Sequence, residues 1–264
     1  MPDRIAPPAA RTAAPRRIRV ERLMGTVFSI DLRDSAVDDE FVDQAFRWLH
    51  EVDARFSPFK EASEITRLGR GTVTVEDCHP DVASVLALCE DLRGQTGGVF
   101  NAWRSRRDGR LDPSGVVKGW AVDRVARILE RAGARNFCIN AGGDVLARGE
   151  PFPGAPWRIG IRNPDDAETL AAVIQVTNLA VATSGSYERG AHIVDARTGR
   201  VPDDLRSLTV VGPSMTRADA YATVGFAMGL QGISWVASLP GYTTFAVTSD
   251  GRARYSDAFA TLLA

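Results

Sequence analysis

The sequence predicts an α+β fold, and three observations carry the prediction. Helical stripes of apolar residues dominate the chain up to about Arg131. From Asn136 onward the character changes to short β-like runs bounded by turn residues. The two kinds of segment do not alternate regularly, which argues for mixed or antiparallel sheets with helices packed around them rather than a doubly wound sheet.

Taken in order, Arg19 to Leu32 reads as one strand interrupted at Met24-Gly25-Thr26, where Gly25 suggests a bulge or a close backbone approach. Val37 to Phe56 carries Phe41, Val42, Ala45, Phe46, Leu49 and Val52 as a helical stripe. Ser63-Glu64-Ile65 opens a short helix, Thr72 to Val75 reads as a small strand, and Asp81 to Leu92 as another amphipathic helix. A loop rich in glycine and arginine follows from Gly94 to Arg110, and a helix then runs from the Asp112 turn to Arg131, where Gly133 ends it. The β-rich part is expected at 137–140, 144–148, 157–162, 172–176, 180–183, 192–194 and 208–211. Met215 to Met228 is a helix, Ser234 to Ala237 belongs to another, and 242–248 with 253–256 make a closing pair. Residues 1–18, rich in Pro, Ala and Arg, read as a disordered leader before a single domain over 19–264.

Composition excludes some classes. A net charge of −1 gives no electrostatic case for a nucleic-acid or membrane partner. No apolar run approaches the roughly 20 residues needed to span a bilayer, and the leader lacks the apolar segment of a secretory signal. Cys78, Cys89 and Cys138 lack CxxC spacing, which argues against a disulfide framework or a zinc site. Buried thiols at Cys89 and Cys138 in a reducing cytoplasm fit better.

Asp112-Pro113-Ser114-Gly115 turns straight into a helix whose first turn holds Lys118, one of only two lysines among 32 basic residues. In an arginine-rich chain, a lysine beside a helix N-terminus suggests a site that needs a compact ammonium near an anion such as phosphate. A capped helix with a surface lysine is the competing reading. Asp219 and Thr223 lie four apart on one helix face and can reach a hard cation such as Mg²⁺. Equally, Asp near a helix start complements the dipole and helical Thr bonds back to a carbonyl. His192 can exchange protons near neutral pH, though a lone strand histidine is more often structural. His79 reads as a helix lead-in and His50 as an exposed helix residue. Thr183-Ser184-Gly185 suits phosphate or any turn, and Asn140 to Asp144 reads as a Gly-Gly hairpin with its usual Asp.

The order of these fragments is more telling than any one of them. Met24-Gly25-Thr26, the 56–65 segment FSPF…SEI, Val99-Phe100-Asn101, the 112–119 glycine-lysine turn, the 140–144 turn, TSGSY at 183–187, HIVDARTG at 192–199 and ADAYAT at 218–223 together resemble the ApbE-type FAD:protein FMN transferases, in register from about residue 20 to 230.

The resemblance implies an ApbE-like fold with an FAD cleft between two intimate lobes, and Mg²⁺ bridging protein and pyrophosphate. Asp219, Thr223 and the carbonyl of Gly115 match the metal ligands. Met24, Phe59, Val99, Phe100, Asn101, Asp112, Lys118 and Ile193 fall at flavin-nucleotide contacts, and His192 matches a histidine implicated in activity, with Asp195 beside it. The implied reaction moves FMN from FAD to a Ser/Thr hydroxyl of an acceptor protein and releases AMP. Asn101 replaces a usual aspartate, Phe59 a common tyrosine and Ala196 a usual proline, and the loop after Phe100 is shorter than in many relatives. An FAD pyrophosphatase and a non-catalytic FAD-binding protein are the alternatives.

Overall fold

The computed structural model describes residues 16–104, 109–186 and 193–264. Its frame is an eight-stranded antiparallel sheet. β1 (Arg17–Leu23) and β2 (Thr26–Leu32) form one edge, followed by β3 (Phe137–Ala141) and β4 (Asp144–Arg148). A separate two-stranded sheet, β5 (Trp157–Arg162) and β6 (Leu170–Val176), comes next in the chain. The main sheet then continues with β7 (Ala180–Gly185), β8 (Leu205–Gly212), β9 (Thr243–Thr248) and β10 (Ala253–Tyr255), in the order β1-β2-β3-β4-β7-β8-β9-β10. Mixed helix and antiparallel sheet agree with the expected α+β class.

Seven helices are described: α1 (Asp39–Phe56), α2 (Glu64–Gly69), α3 (Pro80–Gln95), α4 (Ser114–Arg131), α5 (Met215–Ala227), α6 (Leu230–Ala237) and α7 (Asp257–Ala260). Their starts follow from side chains able to accept a backbone N–H. Asp38 accepts from Glu40, Ser63 from Thr66 and Ser214 from Arg217. His79 caps α3 through Nδ1 ahead of Pro80, as its lead-in position suggested.

Strand alternation sends Phe28, Ile30 and Leu32 of β2 and Phe137, Ile139 and Ala141 of β3 to the helix side, where Phe28 opposes Ala141 and Ile30 opposes Ile139. These residues join Phe46, Leu49, Val122, Val125 and Phe226 in the main core. On the other face, Trp157, Ile161, Ile174 and Val176 of the small sheet bury Val181, Val211, Phe245 and Val247, with Phe259 of α7 closing a second core.

Three local expectations are corrected. The break at Met24-Gly25 is a two-residue hairpin turn, with Leu23 paired to Thr26 and φ of 51° and 71° at the two turn residues. Two successive positive φ values match the twist of the flanking strands, so one expected strand is two. Thr72 to Val75 is irregular, because Thr74 spends its N–H and hydroxyl on Asp77 Oδ2 rather than on a neighbouring strand. Of the strand expected at 192–194, Ile193 and Val194 are irregular, and pairing is limited to an isolated bridge between Asp195 and Arg200.

Candidate active site

α4 and α5 cross at Gly119. A Cβ at that position would stand 2.5 Å from the Met215 carbonyl oxygen and 3.0 Å from the Asp219 Cβ, so only glycine allows this approach. Asp123, one turn further along α4, locks the crossing. Its carboxylate accepts the N–H groups of Met215 and Thr216 at 3.0 and 2.9 Å and the hydroxyls of Ser214 and Thr216 at 2.8 and 2.6 Å. A carboxylate on the first turn of α5 satisfies donors that have no partner inside the helix and complements its dipole.

This crossing delivers Asp219 to the N-terminal part of α4. Asp219 is 5% exposed, and its Oδ2 accepts the Gly119 N–H at 2.9 Å. Its Oδ1 lies 3.5 Å from Lys118 Nζ. Lys118 is the fifth residue of α4, one turn deeper than the first turn where the sequence placed it. Its ammonium stands 2.5 Å from Asp144 Oδ2. Burial pushes the Asp219 carboxyl up to about 7 against the pull of Lys118, and the nearby Asp144 charge adds to the rise.

Asp144 is the residue that sequence reasoning missed. The Gly-Gly hairpin is there, with Ala141 paired to Asp144, but the aspartate does more than close a turn. It is 2% exposed, and its Oδ1 accepts the Thr183 N–H at 2.9 Å. Its Oδ2 is buried and has no hydrogen-bond partner of good geometry among the described residues, although Lys118 faces it as an ion pair. Next to Thr183, Ser184 Oγ lies 3.4 Å from Thr223 Oγ1, one turn beyond Asp219.

Lys118, Asp219 and Thr223 line a cleft of about 1140 Å³, a little above the usual size of a small-molecule site, with Asp144 behind Lys118. Met24, Phe59, Val99, Phe100, Asp112, Gly115, Lys118, Ile193, Asp219 and Thr223 all line it, which leaves one exception among the eleven expected residues that are described. That exception is Asn101, whose Oδ1 instead accepts the Trp103 N–H at 2.9 Å. His192 lies outside the described residues. Phe59 is 78% exposed at the cleft. The chain's other lysine, Lys60, also lines the cleft and pairs with Asp53 at 2.7 Å. The turn after β5 adds Arg162 to Asp165, which an isolated hairpin reading could not have placed there. Asp195 is engaged by Arg197, whose Nη2 is 2.7 Å away and whose side-chain hydrogen bonds hold the Asp195 carboxyl below its ordinary range. Ala196 donates to the Val99 carbonyl at 2.9 Å, fastening this turn beside two cleft residues.

Mg²⁺ takes oxygen ligands and few carboxylates, keeping several waters. Among the described residues no group of three or more His, Cys, Asp or Glu side chains clusters as a metal site. One carboxylate, one hydroxyl and one carbonyl fit Mg²⁺ better than they fit a zinc-like centre. Two buried carboxyl groups, Asp144 and Asp219, set against the single Lys118 ammonium fit a cation as well.

Known proteins share this chain's sequence pattern and its fold. A model of the ApbE family matches residues 24–104 and 102–246. A Salmonella typhimurium protein named FAD:protein FMN transferase is 32% identical over 151 residues, covering 53% of this chain and 43% of that protein. A Haemophilus influenzae protein of the same name is 27% identical over 274 residues, with 79% of each chain covered. The chain thus spans less than half the length of the Salmonella relative that it matches. Among solved structures, the flavin transferase ApbE from Vibrio cholerae superposes with a TM-score of 0.80 at 24% identity, covering 94% of this chain and 100% of that one. The apo flavinyl transferase ApbE from Pseudomonas stutzeri gives 0.81 at 21% identity, covering 94% and 96%. With the family model spanning most of the residues that build the cleft, the chain belongs to the ApbE family.

Proposed function

We propose that residues 19–264 form one transferase domain that moves FMN from FAD to a Ser or Thr hydroxyl of an acceptor protein in a Mg²⁺-dependent reaction, releasing AMP. The observation that carries this reading is the pairing of Lys118 and Asp219 in the lining of the cleft, with Asp144 behind Lys118. The names of the curated relatives support the FMN-transfer part.

Asp219, Thr223 and the Gly115 carbonyl would hold Mg²⁺, which when bound supplies Lewis-acid stabilisation of pyrophosphate charge. Lys118 presents a fixed ammonium to the same charge, in a half-buried setting where that is worth more than in water. Met24, Phe59, Val99, Phe100, Asp112 and Ile193 hold the flavin nucleotide, and Asn101, which accepts the Trp103 N–H, braces the loop that carries Val99 and Phe100. The acceptor oxygen attacks the FMN-side phosphorus, the bond to the AMP phosphate oxygen breaks, and AMP leaves with the electron pair. His192 takes the hydroxyl proton, so charge does not build up on the nucleophile. The absence of a helix long and apolar enough to cross a membrane, among the described residues, is compatible with work in the cytoplasm.

Incubating the protein with FAD, Mg²⁺ and a candidate acceptor tests the reading. An acceptor mass raised by one FMN, together with AMP, is the expected result. AMP with free FMN and unmodified acceptor would make the protein a pyrophosphatase, and FAD bound without AMP release would make it a flavin-binding protein.

A further inference from the structure

We infer that Asp144 is a positioning residue that holds the Lys118 ammonium off Asp219 and so keeps one Asp219 oxygen open to a divalent cation. The inference rests on the metal reading of Asp219 and Thr223 proposed above.

Asp144 owes its place to the β3–β4 turn. Gly142 has φ of +65°, and a Cβ there would meet Thr26 Oγ1 at 2.3 Å, so a glycine seats this turn against the β1–β2 hairpin. Asp144 follows at the start of β4, with its direction set by the bond from the Thr183 N–H to Oδ1. That leaves Oδ2 aimed at Lys118 Nζ, at 2.5 Å.

Lys118 therefore stands between two carboxylates, and the nearer one is Asp144. Asp219 Oδ1 is the more distant, at 3.5 Å. Attraction between unit charges falls as the inverse of distance, so Asp144 has the stronger hold. The consequence for Asp219 is specific. Its Oδ2 is already used by the Gly119 N–H, so Oδ1 is the oxygen left for a cation. If Lys118 closed onto Oδ1, both oxygens would be engaged and a cation would have to displace the ammonium. Asp144 prevents that closure. It also sets two carboxyl groups against one ammonium, a balance that favours a divalent cation beside Asp219.

Mn²⁺ binding to the full chain, followed by the loss of the free-ion signal in electron paramagnetic resonance, tests this without turnover. Asp144→Asn keeps an oxygen for the Thr183 N–H while removing the charge. It should weaken Mn²⁺ binding by about 10–100-fold, the range for residues that orient a ligand from behind. Adding Lys118→Met to Asp144→Asn should recover most of that loss, since the ammonium that blocks Oδ1 is gone. Lys118→Met alone, which does not depend on how well the Asp144 variant folds, should bind Mn²⁺ at least as tightly as the parent. Parent-like affinity in Asp144→Asn would overturn the inference, as would a double variant no better than the single one. Weaker binding in Lys118→Met would do the same. A parent protein that binds no Mn²⁺ would overturn the metal reading and this inference together. Binding by the parent with no difference among variants overturns the inference alone.

Discussion

Gly119 donates its backbone N–H to Asp219 Oδ2 at 2.9 Å, across two helices that lie a hundred residues apart in the chain. The bond exists because glycine lets α4 and α5 meet backbone to backbone at this point. Packing and site geometry are therefore one feature here, and a methyl group should damage both.

Gly119→Ala is expected to cost about 1–3 kcal/mol of stability, the range for overpacking a tight contact. The helices must separate to admit the Cβ, which withdraws the Gly119 N–H from Asp219. A urea melt should show the loss, and FAD turnover should fall in protein that is still folded at the assay temperature. Parent-like turnover in folded Gly119→Ala would show that the close crossing does not serve the site.

Asp123 tests the same crossing from the other side. Its carboxylate serves four donors at the start of α5 and touches nothing in the cleft. Asp123→Ala should lower stability by about 2–3 kcal/mol, as loss of hydrogen bonds to a charged, poorly exposed acceptor does. Asp123→Asn should keep part of it, because an amide oxygen still accepts. Equal melts for the two variants would contradict the capping role.

Asp219→Ala removes the proposed cation ligand. A Lewis-acid cation supplies several kcal/mol to a phosphoryl transition state, and each ~1.4 kcal/mol is a factor of ten in rate. AMP release from FAD should drop by at least about a hundredfold, and extra Mg²⁺ should not rescue it. Thr223→Ala, which removes a neutral ligand, should instead raise the Mg²⁺ concentration needed for half-maximal rate. Rates in Asp219→Ala that stay Mg²⁺-dependent and near parental would reject the assignment.

Burial pushes the Cys89 thiol up to about 12, and does the same to Cys138, which is only partly buried in β3 rather than fully as expected. Only on the order of one folded chain in ten thousand carries either thiolate at pH 8, so both should resist a thiol reagent until the protein unfolds. The sign for stability follows. The unfolded thiols lose their protons near their ordinary value of about 8.5, while the folded ones retain them. Stability should thus fall as pH rises from about 8.5 toward 12. Replacing both cysteines with alanine should flatten that decline, as seen in melts across the pH series. Rapid labelling of Cys89 in the native protein at pH 8 would contradict the burial argument.

What could be read from the sequence divides along the range of the interactions. Helices announced themselves through periodicity and through start residues, as Ser63 and His79 show. The Asp219–Thr223 spacing is local, and the two residues do share the cleft. Asp144 was read as a turn residue because its sequence neighbours, Gly142 and Gly143, make a turn. Its relation to Lys118 depends on a strand and a helix brought together by the whole fold, and no local pattern records it. The Met24 turn failed for the opposite reason. A methionine at positive φ is uncommon outside special positions, so propensity argued for continuing the strand. Backbone strain of this kind gathers at functional sites, and Met24 lines the cleft.

The central claim is that the cluster of Lys118, Asp144 and Asp219 cleaves the FAD pyrophosphate and passes FMN to a hydroxyl. The most direct measurement is parallel quantitation of AMP and of flavin-bearing acceptor, by mass spectrometry, in reactions with and without Mg²⁺. The account predicts equal amounts of AMP and of acceptor carrying FMN on a Ser or Thr, formed only when Mg²⁺ is present and lost with Asp219→Ala. Protein that binds FAD in the cleft yet releases no AMP under any divalent cation would contradict it.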